Sequence, residues 1–356
     1  MVYWQILIPP RLSILNFKIN QYKKMFPRIR KLSDLSGCLS DTSESSSSGN
    51  NASTELFTVK NDEHGFVFIK YKHAAELEKT FLDPALAGNQ RNKLICQLRR
   101  ECRGIVFKKV GEEYEIVLRK FHKFFNVNER PETQLTKIKW NRSFRILEKM
   151  DGSLVSPLKM QPSDELKEEK LCFTTMLGFT DVATMVDEYV EKLKESDRNK
   201  LLELCNYCID KKWTPLFEFC SPQQQIVIEY LEESLTLLAI RENESGNYVD
   251  FKEMVKLLKD NKWNEAIKVV KVWKEYPSGV GDASNLLKEM YSQMQVEGMS
   301  YDLMMATCTR LKLIGIPLCM ELKPLVRALG IDILSSAFLM ILSMILFVDH
   351  TFQNQP

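Results

Sequence analysis

Phe144-Arg-Ile-Leu-Glu-Lys149-Met-Asp-Gly-Ser-Leu-Val155 is the stretch that decides how the rest of the chain is read. Apolar residues alternate with polar ones up to Lys149, a Met-Asp-Gly turn follows, and Ser153 opens a second short strand. A lysine at a strand end beside an Asp-Gly turn presents its amine to whatever pocket the sheet makes. An amine with an ordinary pKa of ~10.4 holds a proton at neutral pH, so use as a nucleophile demands burial or cationic neighbours. Taken alone, a lysine next to Asp-Gly is more often the solvated end of a hairpin. The remainder of the chain has to overturn that plainer reading.

Working outward, Glu55 begins a run of strand patterns: Leu56-Phe-Thr-Val, then Phe66-Val-Phe-Ile-Lys-Tyr71. A helical or irregular insertion occupies Ala74 to Leu98. Arg103-Gly-Ile-Val-Phe-Lys-Lys and Tyr114-Glu-Ile-Val-Leu-Arg-Lys-Phe are joined by Val110-Gly-Glu-Glu, a hairpin by length and turn residue. A polar connection, Asn126 to Arg142, leads into the Lys149 strand. After it, Leu171-Cys-Phe-Thr-Thr is a strand, and Asp181 to about Lys212 has helical spacing at Val182, Met185, Val186, Tyr189, Val190 and Leu193. Three strands are expected at Pro215-Leu-Phe-Glu-Phe-Cys, Ile226-Val-Ile-Glu-Tyr and Leu235-Thr-Leu-Leu-Ala-Ile-Arg. A further helix is expected from Phe251 to about Lys274. The sum is an α+β domain over residues 55–300, mostly antiparallel, with flanking helices.

Composition adds bounds. A chain of 356 residues, 44% hydrophobic and 27% charged, has the make-up of a globular protein. A net charge of +2 rules out a global nucleic-acid-binding field, so any such site is a local patch. Nine cysteines without disulfide spacing point to a reducing, intracellular compartment, cytoplasmic or nuclear. Cys205-Asn-Tyr-Cys208 falls on a helical pattern without a second pair or a histidine, which favours packing over zinc. Residues 1–54 form a basic, then Ser-rich segment expected to be disordered; Met25 is as good a start as Met1, and Pro9-Pro10 argues against a targeting helix. Residues 333–348 are uncharged and mainly apolar, yet shorter than the ~20 residues of a spanning helix, so membrane association is not expected.

Several segments line up with Lys149. Glu101-Cys-Arg103-Gly-Ile-Val-Phe and Phe121-His-Lys123-Phe-Phe125-Asn-Val-Asn-Glu precede it; Leu216-Phe-Glu218-Phe-Cys-Ser-Pro-Gln and Val296-Glu297-Gly298 follow it. In this order and spacing the chain resembles the adenylyltransferase domain of the bacteriophage-type RNA ligase 1 family over about residues 64–298. The resemblance implies an ATP-grasp-like nucleotidyltransferase ligase fold, ATP and magnesium as cofactors, and RNA ends as partners, with no protein partner evident. It implies that Lys149 is the nucleophile that becomes adenylylated. Tyr71, Arg103, Lys123, Phe125, Gly152 and Glu218 would form the ATP site, and Glu297 would hold the metal. Singly, Arg103 and Lys123 read as strand-face ion pairs, Phe125 as core and Glu218 as strand alternation; jointly they read as a site.

The chain departs from the family pattern in two places. Met176 stands where the family has a lysine, and the Lys-x-Lys segment expected soon after Glu297-Gly298 is missing. Codons rebuilt from the last base of one residue and the first two of the next restore it. Met304-Met305 then forces aspartate, Met305-Ala306 forces glycine, and a Lys-x-Lys followed by Trp-Tyr is permitted. The expectation is therefore a reading-frame slip near Gly298, with residues 301–356 an out-of-frame apolar tail. The expected function is ATP-dependent RNA ligation through a lysyl-AMP intermediate, in RNA repair or splicing. Alternatives are an inactive relative that binds nucleotide or RNA, a DNA ligase or capping-type nucleotidyltransferase, and a ligase carrying a C-terminal membrane anchor.

Overall fold

The computed structural model describes residues 26–39, 56–72, 77–125, 129–134, 137, 144–161, 169–224 and 230–276. Strands β1 (Phe57–Asn61) and β2 (Phe66–Tyr71) pair antiparallel. A short turn of helix α1 (Leu77–Thr80) and helix α2 (Gln90–Glu101) form the insertion; Asn89 caps α2 by accepting the Asn92 N–H at 2.8 Å. Strands β3 (Arg103–Val110) and β4 (Glu113–Leu118) complete a four-stranded sheet in the order β1-β2-β3-β4. Gly111, at φ 61°, makes the left-handed turn that closes the β3–β4 hairpin.

The second half is built around β5 (Phe144–Leu147), β6 (Ser153–Met160) and β7 (Lys170–Thr174), then helices α3 (Asp181–Lys192) and α4 (Glu195–Asp210). Strands β8 (Trp213–Cys220) and β9 (Ser234–Glu242), helix α5 (Phe251–Asp260), β10 (Lys268–Val269) and β11 (Val272–Tyr276) follow. The larger sheet runs β10-β9-β8-β6-β7 and is antiparallel except for the short β10–β9 pair; β5 and β11 form a separate antiparallel ribbon. Its core lies between sheet and helices, with Val186 and Val190 of α3, Leu204 and Cys208 of α4, and Phe217 and Phe219 of β8 buried together. The two sheets meet where Phe66, Phe68, Val106 and Leu118 pack on Leu158. The α+β, mostly antiparallel class read from the sequence is the one observed.

Three expectations change. Residues 26–39, assigned to a disordered segment, are a strap packed on the first sheet. Ile29, Leu35 and Cys38 are fully buried, Ile116 donates its N–H to the Arg30 carbonyl at 2.8 Å, and Arg28 and Arg30 pair with Glu244. The single helix expected from Asp181 to Lys212 is two, because Leu193 and Lys194 take extended ψ angles of 152° and 140°. That break lets both helices turn apolar faces onto the same sheet. The helix expected to reach Lys274 ends at Asp260: Lys262 is left-handed at φ 60°, and the β-branched run Ile267 to Val272 supplies strands instead. The strand expected at Ile226 to Tyr230 lies outside the described residues except for Tyr230, which is not in a strand.

Cys205 and Cys208 are buried in α4, as helix packing predicts. No three His, Cys, Asp or Glu side chains converge on a metal position among the described residues. Nor is any described helix long and apolar enough to cross a membrane. Glu297 and the tail from residue 301 lie outside the described residues.

Candidate active site

Lys149 sits in the loop between β5 and β6, side chain exposed, while Met150 beside it is buried. Both flanks of the loop are anchored. On one side the Glu148 N–H donates to the Lys271 carbonyl at 2.9 Å and Arg145 pairs with Glu275 of β11. On the other, the Asp151 N–H donates to the Tyr230 hydroxyl at 3.0 Å and the Gly152 N–H to Glu218 Oε1 at 3.1 Å. Gly152 is required by closeness: a Cβ there would lie 2.3 Å from the Phe219 carbonyl oxygen and 2.9 Å from Cys220 Sγ. The Phe-Glu-Phe alternation of β8 then does its work, with Phe217 and Phe219 in the core and Glu218 facing the Lys149 loop.

Burial raises the Glu218 carboxyl to about 7, against the Gly152 N–H and the charges of Lys149 and Arg103, which oppose the shift. In the unfolded chain the group loses its proton near 4.5. Between those two values the fold holds a proton that the unfolded chain has released, so stability falls as pH rises through the window and is fullest below it. The contribution is on the order of 3 kcal/mol. Glu218→Gln is expected to flatten the decline in unfolding free energy between pH 4.5 and 7, measured by urea melts beside the parent protein. Parallel curves for the two proteins would contradict this burial.

Arg103 opens β3 directly after α2. Its guanidinium lies 5.1 Å from the Phe124 ring, and its Nη1 is buried without a hydrogen-bond partner. Its charge acts on Glu218, on Lys120 and on Lys123, so it stands between the two halves of the site. Lys123 follows β4 in an extended segment pinned by its own N–H donating to the Arg100 carbonyl at 2.6 Å. The Lys123 ammonium sits in an aromatic cage, 5.0 Å from the Phe125 ring centre, 5.5 Å from Tyr71 and 6.0 Å from Phe81. Burial lowers its pKa; Arg103 and Arg130 push the same way and Glu129 opposes them. Among the described residues, no carboxylate lies within ion-pair distance of Lys149, Arg103 or Lys123.

Of the residues singled out in the sequence, Lys149, Gly152 and Glu218 come together on the β6–β8 side. Tyr71, Lys123 and Phe125 come together in the cage, and Arg103 links the two groups. Sequence reasoning missed Phe81, inside an insertion with no clear period, and Tyr230, which no motif marks. It also missed Lys120, fully buried and donating to the Thr174 carbonyl at 2.8 Å, with its pKa driven well down by burial and by Arg103. Met176 packs beside that lysine against Gly104, where a Cβ would be 3.1 Å from both.

The sequence profile of the RNA ligase family, of the phage T4 RNA ligase 1 type, matches residues 101–303. The chain belongs to the RNA ligase family. A protein of Thermovibrio ammonificans assigned as an RNA ligase is 36% identical over 154 residues, 43% of this chain and 36% of the relative. A protein of Autographa californica nuclear polyhedrosis virus assigned as a bifunctional polynucleotide kinase/RNA ligase is 32% identical over 158 residues, 42% of this chain and 22% of the relative. The chain thus spans about a third or less of the length of these relatives. Among solved structures, an archaeal ATP-dependent RNA ligase is similar at a TM-score of 0.41 and 13% identity, covering 68% of this chain and 53% of that one.

The unpartnered Nη1 of Arg103 and the caged Lys123 ammonium fit an anionic ligand such as the phosphates of ATP.

Proposed function

We propose that this chain is an ATP-dependent RNA ligase that works through a lysyl-AMP intermediate. The Lys149 amine, once deprotonated, attacks the α-phosphorus of ATP. An N–P bond forms as the bond to pyrophosphate breaks, leaving AMP on the lysine. The RNA 5′-phosphate then takes the AMP, freeing Lys149, and a 3′-hydroxyl displaces AMP to form the phosphodiester. Arg103 and Lys123 neutralise charge that builds on the phosphoryl oxygens. Tyr71, Phe81 and Phe125 hold Lys123 in place without taking its charge, since an aromatic face attracts a cation yet leaves its N–H groups available.

The observation that supports this reading is that Lys149 and Arg103 both act on Glu218 while Arg103 also acts on Lys123, with no carboxylate in ion-pair contact with any of the three among the described residues. A cation drawn into the protein without a carboxylate, as at Arg103 and Lys123, costs stability; at a phosphate site it meets its partner in the ligand. Magnesium, Glu297 as its ligand, and a role in RNA repair or splicing extend the proposal. So does the frame slip: the family match ends at residue 303, close after Gly298. Sequencing the transcript across Gly298 tests that extension, and an uninterrupted frame would refute it.

The decisive comparison uses a 5′-phosphorylated strand and a 3′-hydroxyl strand, in RNA and in DNA, with ATP or GTP. Sealing of RNA with ATP alone is the expected result. Sealing of DNA, or use of GTP, would make the chain a DNA ligase or capping-type enzyme. ATP binding without transfer would make it an inactive relative.

A further inference from the structure

Behind the site lies a buried charged cluster that the ligation chemistry does not touch. Glu101, Arg119 and Arg241 are each at most 2% exposed. Arg119 Nε and Arg241 Nη2 both reach Glu101 Oε2 at 2.9 Å, and Arg241 Nη2 is also 3.0 Å from Oε1. Burial opposes the carboxylate's charge, but the two guanidinium groups outweigh it and take the pKa down to about 2.

The other donors of the cluster all end on backbone carbonyls. Arg119 Nη1 donates to Asn243 at 3.0 Å and Glu244 at 3.1 Å, and Nη2 to Pro27 of the strap at 2.9 Å. Arg241 Nε donates to Gly246 at 2.8 Å and Nη1 to Lys120 at 2.5 Å. Gly246, at φ 75°, leaves room for this: a Cβ there would lie 2.5 Å from Arg119 Cζ. The rings of Tyr248 and Phe26 lie 4.8 and 4.9 Å from the Arg241 guanidinium carbon.

The three charges are tied to the segments that carry the site's cations. Glu101 precedes Arg103 by two residues, and Lys120, whose carbonyl Arg241 grips, precedes Lys123 by three. Arg119 is part of that same segment. A buried ion triad is commonly no more stabilising than apolar packing of equal volume, so stability alone gives this arrangement little reason to be built from charges. What it supplies is direction: two guanidinium forks fix one carboxylate and five carbonyl contacts in a single geometry.

We propose that Glu101 is a positioning residue, whose bridge to Arg119 and Arg241 sets the placement of Arg103 relative to Lys123. The inference rests on the reading of those two cations as the phosphate-binding groups. A shift of about 1 Å in such a group costs about 100-fold in rate, so Glu101→Gln lowers the rate of AMP transfer at saturating ATP by about that factor.

The test is a cycle of variants, with single-turnover transfer of labelled AMP read at a temperature where circular dichroism shows each protein folded. On a background of Arg103→Gln and Lys123→Gln, Glu101→Gln is expected to cost less than about twofold more, because the groups it positions are already gone. Glu101→Asp keeps the charge and shortens the reach by one methylene; it gives the same non-additive pattern and serves if the glutamine variant fails to fold. A full loss that multiplies unchanged on both backgrounds would show Glu101 to be merely structural and overturn the proposal. Absence of AMP transfer in the parent protein would overturn the ligase reading itself, and the positioning role with it.

Discussion

Lys149→Ala is expected to abolish both AMP transfer from ATP and the sealing of 5′-phosphorylated RNA, while leaving the fold as it was. The side chain is exposed and makes no hydrogen bond or ion pair to a described residue, and changes at such positions usually fall within about 0.5 kcal/mol. Loss of activity with an unchanged melting curve would therefore report the lost nucleophile. The variant has a second use. RNA that already carries a 5′-AMP needs only attack by its neighbour's 3′-hydroxyl, a step in which Lys149 forms no bond. Sealing of that substrate should survive in Lys149→Ala and fall in Arg103→Gln, because the proposal puts the Arg103 charge at the phosphates in every step. Equal loss in both variants would mean that Lys149 acts through binding, not through covalent chemistry.

Gly152→Ala is the second large effect. The new methyl group would stand 2.3 Å from the Phe219 carbonyl oxygen, and a backbone atom cannot swing aside as a side-chain tip can. Either the β6–β8 pairing opens or the Lys149 loop lifts. Overpacking of this kind costs about 1–3 kcal/mol, which lowers the melting temperature by several degrees in a protein of this size. The lift would also break the Gly152 N–H contact to Glu218 and move the Lys149 amine, with a rate loss on the order of 100-fold. Thermal melts and AMP-transfer rates measured on the same preparation check both parts. A variant with the parent's melting point and rate would deny the close approach.

Much of this was legible in the residues themselves. The period-2 alternation of Leu216-Phe-Glu-Phe separates two core rings from one carboxylate, and β8 places them that way. Gly111 was readable because turn chemistry is local. What escaped was decided at long range. Glu101, Arg119 and Arg241 look like surface charges in sequence, since only the folded chain brings positions 101, 119 and 241 to one point. The strap at residues 26–39 buries Pro27, Ile29, Leu35 and Cys38 amid basic and polar residues, too few to show a period. The α3–α4 break has no proline or glycine to announce it; Leu193 and Lys194 turn the chain because packing on one sheet favours two shorter helices. Phe81 and Tyr230 reach the site from an insertion and a loop, where local pattern says least.

The covalent step offers the most direct test of the account. The parent protein and Lys149→Ala would be incubated with α-labelled ATP and magnesium, denatured, digested, and the labelled peptide located by mass spectrometry. The account predicts one AMP group per chain, on the peptide that contains Lys149, and none in the variant. A label on any other lysine, or one that persists in Lys149→Ala, would contradict the assignment of the nucleophile and with it the proposed ligase mechanism.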